Sequence, residues 1–171
     1  MGNAYAAQGK FSDALLSYHR ALELEPAAVY NRNVGSMQAR LGRVQEAVPA
    51  LEEAIRLDGS VAVWQAELGQ LYGVQGRLED SFGRLEEACK LDPEEGAYFR
   101  QAGQALRKWR QYEEGLRDMG MLSERRAPGL ERGVEILEQA LRLNPEDAEA
   151  FAELGQMQEM LGLPSEALQH Y

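Results

Sequence analysis

The residues able to do chemistry in this chain are few and badly placed for it. A hydrolase or transferase needs a nucleophile and a base within reach of each other. The two histidines, His19 and His170, stand near opposite ends of the sequence, and neither has a second imidazole at the His-x-x-x-His spacing that would hold zinc. Both are read as solvent-facing helix positions. The single cysteine, Cys89, allows no internal disulfide and no multi-thiolate metal site, and it is expected in the core. Gly69-x-x-x-Gly73-x-x-Gly76 follows no strand, and Gly9-Lys10 is followed by Phe11, so neither the dinucleotide nor the phosphate-loop pattern has its context. The carboxylate pairs Glu52-Glu53, Glu86-Glu87, Glu94-Glu95 and Glu113-Glu114 read as exposed or helix-starting charges that favour the helix dipole. Met119, Met121, Met157 and Met160 are expected to fill core space, with an adaptable sticky surface as the other reading. The sequence therefore predicts no enzyme, no metal and no cofactor.

Composition points to what must position side chains here. Threonine is absent and isoleucine occurs only at Ile55 and Ile136, while Ala, Leu, Glu, Gln and Arg fill most positions; this is helix-forming material with little for strands. The 18 basic residues against 28 acidic ones leave a formal charge of −10, which works against attraction to a nucleic-acid backbone. No apolar run reaches the roughly 18 to 20 residues of a membrane span, and the first residues lack the pattern of a signal peptide. Cytoplasmic is the default compartment.

The helices repeat. Glycines at Gly2, Gly35, Gly69, Gly103 and Gly155 are separated by 33, 34, 34 and 52 residues. Each lies in a segment of helical apolar spacing, and seven residues on a second glycine follows at Gly9, Gly42, Gly76 and Gly162, placed to end the helix in a tight turn. Small residues then fall at Ala14, Ala47, Ser81 and Ala167, bulky ones four later at Tyr18, Leu51, Leu85 and Tyr171, and further alanines at Ala21, Ala54, Ala88 and Ala140. Pro26, Pro93 and Pro145 close the units, with Gly59 at that place in the second. A small residue at a helix crossing lets two backbones approach, and a large one beside it fills the gap.

Leu68-Gly69-x-x-Tyr72, followed by Gly76, Ser81, Leu85, Ala88 and Asp92-Pro93, resembles the tetratricopeptide repeat, a 34-residue pair of antiparallel helices, and the resemblance covers essentially the whole chain. It implies an all-α fold, a right-handed superhelical solenoid of antiparallel pairs, interrupted near residues 110–145. The units run at about 1–27, 28–61, 62–95 and 96–128, then an extra helix at 129–146 and a partial unit at 147–171. The tryptophan that often opens the first helix is displaced to Trp64, with Phe99 and Phe151 at the equivalent places elsewhere. In the fourth unit, a first helix over 97–109, a turn at Trp109-Arg110-Gln111-Tyr112 and a second helix to Arg125 is the favoured reading, with 123–129 as a loop and Leu130–Leu143 an unpaired helix. The alternative is a single long or kinked helix over 97–125 paired with 130–143. Both ends are ragged, which predicts a segment of a longer protein, or ends covered by another chain, with self-association one route to that cover.

The resemblance also implies a concave surface, lined mainly by each pair's first helix, that receives an extended peptide or partner helix. Projected onto this sequence it comprises Arg32, Asn33, Ser36 and Arg40, then Glu67, Gln70 and Val74, then Arg100, Gln101, Gln104, Arg107 and Lys108. Five basic residues there, on a strongly acidic chain, predict an anionic or polar peptide partner; ordinary solvated charges are the competing reading. Chaperone adaptors of this family hold a terminal carboxylate with two asparagines, matched by Asn3 and Asn33, and with cations from a third repeat, where this chain has Val63 and Glu67. That clamp is rejected. The asparagine ladder of glycosyltransferase-associated arrays is absent as well, the places reading Asn33, Glu67, Gln101 and Glu153. The leading expectation is a protein-binding scaffold; the second is the substrate-recruiting region of a larger enzyme such as a transferase. An RNA reader would need a basic groove.

Overall fold

A computed structural model describes residues 1–121 and 127–162, and among these every regular element is an α-helix. The chain divides into two compact units, Met1–Arg77 and Leu78–Tyr171. The first contains α1 (Gly2–Ala7), α2 (Phe11–Leu24), α3 (Ala28–Arg40), α4 (Val44–Leu57) and α5 (Ala62–Val74). The second contains α6 (Leu78–Leu91), α7 (Gly96–Asp118), α8 (Leu130–Leu143) and α9 (Ala148–Met160). Within each unit every helix packs on its sequence neighbour, and α3 also meets α5, as α7 meets α9. Helices that contact the next and the next but one in sequence make the layered hairpin stack of a repeat protein.

The predicted interlock of small and large residues holds the hairpins together. Gly35 sits where α3 crosses α4, and a Cβ there would lie 3.0 Å from both the Ala47 carbonyl oxygen and Leu51 Cγ. Leu51 and Leu68 are fully buried, and the same core cluster takes in Val48 and Tyr72; burial of each leucine contributes on the order of 2 kcal/mol. The foreseen turn glycines Gly9, Gly42, Gly76 and Gly162 all have φ between 71° and 75°, a region costly for a side chain with a Cβ.

The favoured reading of the fourth pair needs correction. No turn forms at Trp109-Arg110-Gln111-Tyr112: α7 is one helix of 23 residues, and its partner is α8, on which α9 then packs. α8 is therefore not an unpaired helix, and the α7–α8 hairpin is an ordinary antiparallel neighbour of α9 within the second unit. The period is interrupted within residues 110–145, but by stretching. Gly103 is followed by its turn glycine, Gly120 with φ 72°, after 17 residues where the other pairs use seven. From Gly120 to the small residue Gly133 is 13 residues, where the other turn glycines need five. Ten extra residues in the helix and eight in the connector account for the interval of 52. Segment 109–112 contains no glycine or proline to break a helix, and its Trp109 is buried with its ring centroid 6.1 Å from that of Phe82. A turn would have surrendered that packing.

Two smaller expectations are also corrected. Glu113, read as an exposed charge, is buried on the same face of α7 as Ala102, Leu106 and Trp109. Its carboxylate accepts from the Ala127 amide at 2.7 Å and pairs with Arg110 at 3.3 Å, fastening the long connector to the helix, as a buried carboxylate requires partners. Met119 and Met121 are exposed at the end of α7, whereas Met157 is wholly buried. The second helix of the last partial unit, with His170 and Tyr171, and part of the predicted 123–129 loop lie outside the described residues. Among those described, no helix is long and apolar enough to cross a membrane.

Cys89 is buried in α6 as foreseen. Burial, reinforced by the nearby Glu86 carboxylate, pushes its thiol up to about 12 from an ordinary 9.0. A thiol whose folded value is raised keeps its full contribution to stability below the unfolded value and loses it as pH rises between the two, here from about 9 to about 12. The thiolate is the reactive form. Iodoacetamide at pH 8 is therefore expected to leave the native chain unlabelled and to alkylate Cys89 once urea unfolds it, with the mass increment of the intact protein as the readout. Rapid native labelling would show the side chain to be accessible.

Candidate functional site

The first unit carries a hollow of about 670 Å³ between α1, α2, α3 and α5, lined among others by Asn3, Arg32, Asn33, Ser36, Arg40 and Glu67. Four residues projected from the repeat pattern, Arg32, Asn33, Ser36 and Arg40, thus share one concavity. On α3 Arg32 and Asn33 stand four and three residues before Ser36, and Ser36 stands four before Arg40, so the adjacent pair flanks the face that Ser36 and Arg40 continue. Val34, Met37 and Gln38, from the same helix, are buried. The lining of the hollow also includes Ala6, Ala7, Val29 and Met37, which contribute apolar surface.

The polar groups are oriented by one another. Arg32 donates through Nε to Glu67 Oε2 at 2.9 Å and through Nη2 to Glu67 Oε1, and through Nη1 to Asn33 Oδ1 at 3.3 Å. A guanidinium has no acceptor, so Asn33 must present its oxygen to Arg32, which leaves its amide N–H groups for something else. Tyr18 donates to Asn3 Oδ1 at 2.6 Å. Burial raises the Tyr18 phenol from its ordinary value, against an opposing pull from the Arg32 charge, so it remains a protonated donor at neutral pH. Arg40 has its guanidinium carbon 5.4 Å from the centroid of the Phe11 ring. The hollow therefore combines two oriented side-chain amides, a hydroxyl and one guanidinium with some apolar lining, a set able to hydrogen-bond a polar ligand.

Gln70 is exposed on α5 and is not among the lining residues of this hollow. In the second unit, Arg100, Gln101, Gln104, Arg107 and Lys108 all belong to α7, but its two projected arginines are engaged by carboxylates of the α9 segment. Arg100 donates through Nε to Asp147 Oδ2 at 2.9 Å and through Nη1 to Glu149. Asp147 is also the N-cap of α9, accepting from the Ala150 amide at 3.1 Å. Arg107 forks onto Glu153 at 2.7 and 3.2 Å and reaches Gln111 at 3.2 Å. Lys108 is exposed. Three of the five projected cations thus have carboxylate partners within the chain, and the local positive charge is smaller than the residue types suggest. The signal was present in the numbering: Arg32 and Glu67 stand one period plus one residue apart, yet only a fold shows that they meet. Asn3 and Tyr18, which also line the hollow, and Phe11, whose ring lies beside Arg40, were missed as site residues because they come from the first, partial unit and, for the two aromatics, from a second helix. Among the described residues, no group of three or more His, Cys, Asp or Glu is placed to hold a metal ion.

A family model described as the tetratricopeptide repeat matches residues 1–62 and 122–171. No curated protein matches the sequence. Among solved structures, MamA from Desulfovibrio magneticus RS-1 superposes with a TM-score of 0.81 at 18% identity, covering 99% of this chain and 86% of that one. YrrB, described as a TPR protein with an unusual peptide-binding site, gives 0.78 at 20% identity, with 99% and 78% covered. The first TPR of Spaghetti (RPAP3), bound to the HSP90 peptide SRMEEVD, gives 0.64 at 17% identity, with 79% and 93% covered. At such identities these likenesses show a shared fold. With the family match spanning well over half of its residues and helical hairpins stacked in sequence order within each unit, the chain belongs to the tetratricopeptide repeat family.

Proposed function

We propose that this chain is a protein-interaction scaffold with no chemistry of its own, and that the hollow of the first unit receives an extended peptide segment of a partner. The observation that carries the reading is the oriented Asn33 amide: its oxygen is taken by Arg32 and its donors are left to a ligand, at the edge of a concavity of the size that suits a short segment of chain. An extended peptide supplies backbone carbonyls at regular intervals, and a scaffold that bonds them tolerates varied side chains. The peptide-binding site named for YrrB and the HSP90 peptide bound by the RPAP3 repeat support the class of ligand. The terminal-carboxylate mode fits poorly, since Glu67 stands where a cation is needed and already holds Arg32.

Panning the full chain against a phage-displayed library of random dodecapeptides tests this. The native protein is expected to enrich a related set of sequences, and Asn33→Ala to weaken the best synthetic member by roughly three- to tenfold, the worth of one hydrogen bond. Recovery no better than from urea-unfolded protein would sink the reading.

A further inference from the structure

The charge preference of the hollow follows from which of its ions are already spent. Its charged lining residues are Arg32, Arg40 and Glu67. Arg32 and Glu67 form a two-toothed pair, and the third nitrogen of Arg32 goes to Asn33, so the pair carries no net charge and that arginine has no free fork to give. Arg40 differs. Among the described residues it has no carboxylate within salt-bridge distance, and its contact is the face of the Phe11 ring. A ring neither neutralises a guanidinium nor offers it the lone pairs that its five N–H donors match, so both the charge and hydrogen-bonding capacity of Arg40 are left for a ligand.

We infer that Arg40, held over Phe11, is the specificity-determining residue of the hollow and selects a peptide with a single carboxylate side chain at one fixed position. This rests on the peptide-binding reading above and sharpens it. One uncompensated cation among the lining residues rewards one carboxylate. A second, adjacent acidic residue finds no further uncompensated cation in the lining, because Arg32 is already matched by Glu67, so the preference is for one acid in a neutral or apolar context and not for an acidic run. Lysine at position 40 would keep the charge but lose the planar fork that matches a carboxylate with two hydrogen bonds. Because Arg40 is exposed, the gain is modest and sensitive to salt.

The test uses the same random dodecapeptide library on the full chain and on Arg40→Ala, Arg40→Glu and Arg32→Ala/Glu67→Ala, each checked for unchanged helical circular dichroism. The native pool is expected to carry Asp or Glu at one position. The Arg40→Ala pool should keep its other preferences and lose that one, Arg40→Glu should replace it with Lys or Arg, and the double variant should retain it. Replacing the acid by its amide in a synthetic native-pool peptide should cost about fivefold in affinity at low salt and little at 1 M. An Arg40→Ala pool that still prefers the acid, or a well-enriched native pool without it, overturns the role of Arg40 and leaves peptide binding standing. Absence of any enriched pool overturns both.

Discussion

Leu137→Ala is expected to destabilise the second unit by about 3 to 5 kcal/mol, the range for emptying a closed leucine site. Leu137 is wholly buried in α8, and it is seated directly on Gly103 of α7: the three atoms nearest to a Cβ built on that glycine all belong to Leu137, two of them at 2.6 Å. The same geometry predicts that Gly103→Ala destabilises the native chain, because a well-packed leucine has nowhere to retreat. In the Leu137→Ala background the sign should reverse. There the new methyl occupies vacated space, and alanine in a helix interior is favoured over glycine by about 1 kcal/mol. The two changes are then strongly non-additive, as contacting residues should be. Urea unfolding of the four proteins in a Trp64→Phe background, followed by the fluorescence of Trp109, reads the second unit alone. Additive losses would mean that α7 and α8 do not meet at this pair.

The pair also shows how much of the fold was legible in the sequence. Gly103 stood in the periodic series and Leu137-x-x-Ala140 looked like the second helix of a hairpin, but their partnership was obscured by the eighteen residues inserted between the expected positions. A fixed period encourages the reader to place a turn where the count requires one. The chain places it where a residue can adopt positive φ, at Gly120. Trp109 and Glu113 continue the buried face of Ala102 and Leu106 at intervals of three and four, so the unbroken helix was written in the spacing. The charge of Glu113 disguised it, because the Ala127 amide that justifies a buried carboxylate there becomes visible only when the connector folds back. The site was legible to a similar depth. Repeat geometry brought Arg32, Asn33, Ser36 and Arg40 to one concavity, since residues on one helix face are fixed by local periodicity. Which arginines remain available was not legible, because it depends on carboxylates supplied by other helices.

The distinction between engaged and available arginines leads to the second large effect. Glu153→Ala is expected to cost the second unit about 2 to 4 kcal/mol, whereas Glu53→Ala should leave the unfolding midpoint where it was. Both carboxylates form two-point pairs with an arginine, Glu153 with Arg107 and Glu53 with Arg56, so geometry does not separate them. Solvent does. The Arg107 and Glu153 side chains are each 13% exposed, against 67% for Arg56 and 42% for Glu53. Removing one partner of a desolvated pair strands the other's charge, and that penalty exceeds anything the intact pair contributes; removing one partner of a hydrated pair returns the other to water. It follows that Arg107→Met/Glu153→Leu should be less damaging than Glu153→Ala alone, since the double change leaves no orphan charge and keeps apolar volume. Urea midpoints decide the matter, read through Trp109 in the Trp64→Phe background for the Glu153 variants and through Trp64 in a Trp109→Phe background for Glu53→Ala, and they should be nearly independent of salt for Glu153→Ala. If instead Glu153→Ala is neutral, Arg107 has been able to swing into water, and α7 would then present a second available guanidinium. Peptide pools selected on that variant would gain an acidic preference that no longer depends on Arg40, so the same substitution separates an arginine that braces α7 against α9 from one that is held in reserve for a ligand.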